Sequence, residues 1–304
     1  MHHLKPAKAQ IHSAKILNCL ETGFPGSPGS IPRAVFQAFF LCCFVHLLFA
    51  SPSARGESVL SKSRPAVRER GPHHQRVEYI STVRDDLGRV HQRTNSYVVL
   101  GTGLNRWDDT RQEWVAASDR IELINGHGVV RGAQHRVVLA PNTRSRGGLV
   151  DLKTPWGERI VLQPVGLAVT DAAGRSVFLA EVKASAGELV APNVMLYRDA
   201  FDLLAGAISI RVTLDGVESD VILSERVDRD LIARLGVHVE TAKLEIWHRV
   251  LDKPRYKKGV ARVKRRSGRE DEDHTVAFGG MSITEGTAFS IGPNARRPAE
   301  QGVH

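Results

Sequence analysis

The chain has 304 residues, a formal net charge of +9 at pH 7, 42% hydrophobic residues and three cysteines. That length can bury one large core or two small ones. The positive balance favours acidic partners over basic ones.

Arg33 precedes a largely apolar run, residues 34–50, broken only by Gln37 and His46. Small residues follow at 50–54, and a basic residue, an apolar core and small residues in that order predict a secretory signal. Cleavage is expected between residues 50 and 55. The run is short for a bilayer crossing, which needs roughly 20 apolar residues, so an uncleaved anchor is the alternative. Residues 1–54 are therefore read as a signal segment with a long n-region and are set aside from the fold. Cys19, Cys42 and Cys43 all lie within it. The mature chain is then disulfide-free, which excludes a disulfide scaffold, a thiol enzyme and a cysteine-ligated metal site.

Residues 55–95 are rich in Arg, Ser, Pro and Gln and show no apolar period, so they read as a disordered polar leader, with one strand expected at 77–83. His73 and His74 in that tract are expected to be solvated rather than metal-bound. From Tyr97 the pattern becomes short β-type runs between turn signals. Trp156 sits in a Pro-Trp-Gly turn, and Asp171 and Gly174 mark a second turn. Asp215-Gly216 predicts a two-residue hairpin with Gly216 at positive φ. Alternation of Ile208, Ile210, Val212 and Leu214 with Ser209, Arg211 and Thr213 predicts a strand buried on one side. Only Asp228-RDLIARLG reads as helical, with Asp228 as cap and Gly236 as stop. Strands resume at 237–239 and 243–250. Residues 253–269 hold nine Lys or Arg and no acid, and Glu270 to Asp273 are all acidic. The two runs, 253–273, are expected to form one exposed loop before two last strands and a disordered tail at 293–304. The expected class is all-β, an antiparallel β-sandwich over 96–292 with one short helix.

The chemical motifs are few. Gly101-Thr-Gly103 lacks the third glycine of a dinucleotide loop, and no Walker, HExxH, GxSxG or EF-hand pattern occurs. No cofactor or metal is expected. Trp107, Trp114 and Trp156, with the carboxylates of Asp108 and Asp109, are the glycan-binding candidates, because aromatic rings stack on sugars and paired carboxylates can hydrolyse glycosides. Turns also collect Asp and sheets pack Trp without any ligand, which is the competing account. Lys257, Lys258, Lys264, Arg265 and Arg266 are the candidates for an anionic polymer. Glu245 and Trp247 share a strand face while His248 points the other way.

Asn105-RWDDTRQEWVAASDRIEL, together with Phe278-GGMSITEGTAFSIG, resembles β-rich modules near the N-termini of large exported bacterial proteins. That resemblance implies a β-domain and carries no activity or site residue with it. The sequence therefore points to an exported, non-catalytic β-sandwich, a structural or interaction module at the cell surface or in the periplasm. A secreted carbohydrate-active protein, glycan-binding or hydrolytic, is the alternative. The expected partners are a cell-envelope polysaccharide or another surface protein, ahead of nucleic acid, with no membrane span in the mature chain.

Overall fold

The computed structural model describes residues 8–18, 58–264, 270–284, 286 and 288–291. The signal run at 34–50, all three cysteines, Arg265, Arg266 and the tail at 293–304 lie outside them. In chain order the first strands are β1 (Lys8–Asn18), β2 (Ser58–Lys62), β3 (Ala66–Gly71), β4 (His74–Arg84), β5 (Val90–Leu100), β6 (Asn105–Asp108) and β7 (Glu113–Ala116). Then come β8 (Glu122–Ile124), β9 (His127–Val130), β10 (Arg136–Leu139), β11 (Val150–Lys153), β12 (Arg159–Thr170) and β13 (Ser176–Glu181). The chain continues with β14 (Gly187–Ala191), β15 (Val194–Tyr197), β16 (Gly206–Val212), β17 (Gly216–Leu223) and the helix α1 (Arg229–Arg234). Last are β18 (Lys243–Asp252), β19 (Lys257–Lys264), β20 (Glu270–Phe278), β21 (Met281–Thr284) and β22 (Ala288–Ile291).

The fold is all-β. A nine-stranded sheet runs β14-β15-β16-β17-β1-β21-β20-β19, with β22 also on β1, and a seven-stranded sheet runs β13-β12-β11-β10-β9-β8, with β18 on β12. One core joins them: Val137, Leu139, Leu152 and Leu167 of the smaller sheet pack with Tyr197, Ile208, Ile210 and Val221 of the larger. Two antiparallel sheets sharing one buried face make a sandwich, and the period-two alternation expected of β16 is what buries Ile208, Ile210 and Val212 in it. Tyr197 is fully buried, and its hydroxyl donates to the Ala140 carbonyl oxygen at 2.7 Å, so the ring joins the core without an orphaned polar tip.

The expected turns and helix are present, with one difference, while the strand expected at 237–239 is not: a 3-10 turn, Val239–Thr241, takes its place. Asp171 is buried and accepts from the backbone N–H groups of His238, Ala173 and Arg175 and from the Arg175 guanidinium. Those donors, the His238 amide first, hold its carboxyl well below the usual range. The Asp228 side chain accepts from Asp230 N–H and starts α1. At the β16–β17 hairpin, Thr213 and Gly216 exchange both backbone hydrogen bonds, so the two loop residues are Leu214 and Asp215. Gly216 does not adopt positive φ; it has moved into β17, and Asp215 accepts from Thr213 Oγ1 instead. The Asp-Gly pair marks the hairpin but sits one residue later than an Asp-Gly loop requires.

Two stretches expected to lack regular structure form strands. The leader read as disordered, 55–95, instead carries β2, β3 and most of β5 besides β4, which contains the strand expected at 77–83, and β4 pairs with β2, β3 and β5. Exposed strands of this kind bury little, apart from Val77, Ser81 and Val83 on alternate positions of β4, so no apolar period announces them. His73 is not a solvated side chain: its Nδ1 accepts from Gly103 N–H at 3.1 Å, and burial lowers its pKa, helped by the charge of His74. Among the described residues, 58–69 and 76–99 form one compact unit, and both sheets of the sandwich belong to another.

The basic run is likewise not one long loop. It enters β19, whose register sets Lys264 against Glu270, Arg262 against Glu272, Val263 against Asp271 and Ala261 against Asp273 on β20. The acidic run is therefore the partner strand rather than a trailing loop, and Arg262 against Glu272 sets one opposite-charge pair across it.

β1 lies ahead of the apolar run, in the segment expected to be removed. It pairs with β17, β21 and β22. Cleavage between residues 50 and 55 would take β1 away and open the facing edges of β17 and β21.

Candidate binding face on the seven-stranded sheet

β12 is the long strand around which this face is built. One edge pairs with β11 at Arg159 to Leu162 and with β13 at Gly166 to Thr170, while β18 lies along Val161 to Thr170. Along β18, Leu244 and Ile246 pack on the core, and His248 lines a small interior cavity with Leu149, Leu162, Ile210 and Val217. Burial lowers the His248 pKa to about 4. The intervening residues Glu245, Trp247 and Arg249 point outward, as strand alternation requires.

Trp247 and Phe178 meet edge to face at 5.0 Å between ring centroids, and each remains 41% exposed. Gly166 makes this pairing possible: a Cβ there would stand 2.4 Å from the Ala180 carbonyl oxygen and 3.0 Å from the Phe178 ring. The ring occupies the space over a strand position without a side chain. Trp247 Nε1 and Thr170 Oγ1 both donate to the same Glu245 carboxylate oxygen at 2.9 Å, which fixes the indole plane. Thr170 Oγ1 also lies 2.9 Å from Ser176 Oγ. The aromatic pair is thus bordered by a carboxylate and two hydroxyls.

Beside it opens a cleft of about 380 Å³, lined by Arg144, Arg146, Gln163, Glu181 and Arg249 among others. Arg249 belongs to both features, two residues along the outer side of β18 from Trp247. Arg144 and Arg146 come from the connection between β10 and β11, which is held at several points. Asn142 Oδ1 accepts from Arg144 N–H, and buried Thr143 exchanges backbone and side-chain bonds with Lys183 and Ser185. Gly148 closes the loop at φ 89°, where a Cβ would also stand 2.5 Å from Val161 Cγ1. Arg144 Nε donates to the Val182 carbonyl oxygen, which holds one edge of its guanidinium. Gln163 donates to the carbonyls of Thr143 and Pro164, while its buried Oε1 has no partner among the described residues. None of Arg144, Arg146 and Arg249 forms an ion pair among the described residues, and Glu181 is the one acid lining the cleft. Three cations against one carboxylate make the cleft net positive.

The residues singled out from sequence fall elsewhere. Trp107 and Trp114 face each other across the β6–β7 hairpin, edge to face at 5.5 Å. Asp108 Oδ1 accepts from the backbone N–H groups of Thr110 and Arg111, so its carboxylate builds the turn. The Asp109 backbone carbonyl accepts from Gln112 Nε2. Trp156 is 60% exposed in the β11–β12 turn, with its ring against the backbone of Gly280. No ring contact among the described residues joins it to the Trp107 and Trp114 pair. Lys257, Lys258 and Lys264 lie on β19, opposite Ala277, Val276 and Glu270. The parity reading of Glu245, Trp247 and His248 holds. The arginine cleft was missed, since Arg249 lies about a hundred residues from Arg144 and Arg146 and the three meet only in the folded chain.

No protein-family model, no curated protein and no solved structure matches this chain.

Proposed function

We propose that the chain is an exported, non-catalytic β-sandwich that serves as an interaction module at the cell surface or in the periplasm, and that the outer face of β12, β13 and β18 is its contact surface. The observation that carries the reading is three arginines, with no ion pair among the described residues, lining one cleft beside a half-exposed aromatic pair. Desolvating a charge is costly unless a partner replaces the lost water, so unpaired cations around a concave site are complementary to an anionic ligand. The carboxylate beside the aromatic pair acts within the structure: Glu245 holds Trp247 and Thr170. That use fits a binding surface better than a pair of reacting acids. Export is supported by the Arg33-plus-apolar run, and no helix among the described residues is long and apolar enough to cross a membrane.

Fractionation of expressing cells, followed by incubation of the exported protein with envelope polysaccharide, tests both halves. The mature N-terminus is expected between Ser51 and Arg55, with polysaccharide retained and not shortened. Recovery of an intact Met1 in a soluble cytoplasmic pool would contradict export. Release of new reducing ends would contradict the non-catalytic reading and favour glycoside hydrolysis.

A further inference from the structure

The ligand class of this face follows from how its two halves adjoin, and the inference rests on the reading of it as a contact surface. We infer that it binds a carboxylate-bearing polysaccharide, a polyuronate, with one uronate carboxylate in the arginine cleft and a neighbouring sugar ring on Trp247.

Three properties of the face select that class. Guanidinium groups present paired N–H donors in a planar fork that matches a carboxylate, and an arginine already held at one edge loses little freedom on binding. Arg144 is held in this way through Val182. The cleft therefore suits a planar anion.

The second property is continuity. Trp247 and Arg249 are two residues apart on one strand, so their side chains leave the same side of the sheet about 7 Å apart. An isolated small anion would use the cleft and leave the aromatic pair unused. A chain of sugars carrying acid groups engages both at once, because the apolar face of a sugar ring packs on an indole while its carboxylate lies to the side.

The third is the polar border. Glu245, Thr170 and Ser176 flank the indole with acceptors and hydroxyls. Sugar hydroxyls are donors that satisfy such acceptors. A phosphate polymer brings acceptors almost exclusively and would leave them unmatched.

The probe is a galacturonic-acid oligosaccharide, titrated calorimetrically into the full chain above pH 6.5, with its fully methyl-esterified form and inorganic polyphosphate as controls. The acid form is expected to bind and its ester to bind at least tenfold more weakly. Arg144→Gln combined with Arg249→Gln should weaken the acid form at least tenfold at an unchanged thermal midpoint, and Arg146→Gln alone should weaken it severalfold. Trp247→Ala should weaken the oligosaccharide at least threefold while leaving polyphosphate binding unchanged. Equal binding of acid and ester, or polyphosphate bound as tightly as the acid sugar, would overturn the polyuronate assignment. If a neutral envelope glycan or a protein binds instead and is lost with Trp247→Ala, the ligand class fails while the contact surface stands. If neither variant changes the binding of any envelope component, both fail.

Discussion

The basic hairpin of β19 and β20 and the arginine cleft beside β18 are both cationic, and the denser one has the weaker claim to a partner. Residues 253–269 hold nine cations, yet β20 sets Glu270 and Glu272 directly opposite Lys264 and Arg262. Part of that charge has an acid across from it within the hairpin, as Arg262 has Glu272. The cleft gathers three arginines from two distant segments and opposes them with Glu181 alone. A count of charges along a sequence says little about a field, because what reaches a ligand is the charge left after the fold has paired its own groups.

Both regions belong to the unit that contains the sandwich, so its pH range decides where they can be compared. His135 is 1% exposed, neither ring nitrogen has a partner among the described residues, and burial lowers its pKa to about 4 from 6.5. The nearby Asp215 charge and Gly216 backbone push the other way and do not prevail. The unfolded chain then binds the proton first as the pH falls. Stability is full above about 6.5, declines through the window down to about 4 and levels off below it. His248, lowered to about 4 by the same cause, adds in the same direction. One such group contributes up to roughly 3 kcal/mol over that window. Urea melts at pH 7.5, 5.5 and 4.5 should show the decline, and His135→Leu should flatten part of it by removing the buried imidazole. A stability independent of pH across this range would contradict the burial of these side chains.

A paired glycine substitution sharpens the comparison of the two surfaces. Gly166→Ala places a methyl against the Ala180 backbone and the Phe178 ring. It should cost about 2 kcal/mol or more, because the backbone oxygen cannot step aside. Gly259→Ala, on β19, meets only the Thr275 hydroxyl at 3.1 Å, a side-chain atom able to turn away. Its effect should stay within about 0.5 kcal/mol. Thermal and chemical melts of the two variants decide the matter. Equal losses would mean that the aromatic face is no more tightly built than the hairpin.

The same contrast explains what could be read in advance. The alternation of β16, the turns at Asp171 and Asp215, and the cap of α1 rest on neighbours in sequence, and these were legible. β4 was legible in part, as the strand expected at 77–83, but β2, β3 and the start of β5 were not, since strands that bury little carry no apolar period. β19 was hidden because its partner is a strand that opens with an acidic run, and a local reading takes a basic run followed by an acidic one for solvated loop. At the candidate face, the shared side of Glu245 and Trp247 follows from alternation alone. The cleft does not, because its arginines become neighbours only when β18 pairs with β12 and the Asn142 turn folds back. Asp108 was misleading in the opposite sense: an acidic residue between tryptophans suggested chemistry, and the turn consumes its carboxylate.

The slope of binding against salt tests the central claim most directly. Each cation that contacts an anionic polymer releases counterions, so log K falls more steeply with log salt concentration as more cations take part. Galacturonic-acid oligosaccharide affinity should be measured across a salt series for the unaltered chain, for Arg144→Gln with Arg146→Gln and Arg249→Gln, and for Lys257→Gln with Lys258→Gln and Arg262→Gln. The account predicts a clearly shallower slope and weaker binding for the cleft variant, and a slope and affinity within about twofold of the unaltered chain for the hairpin variant, whose exposed charges contribute little individually. A shallower slope in the hairpin variant, with the cleft variant unchanged, would contradict it and place the partner surface on β19.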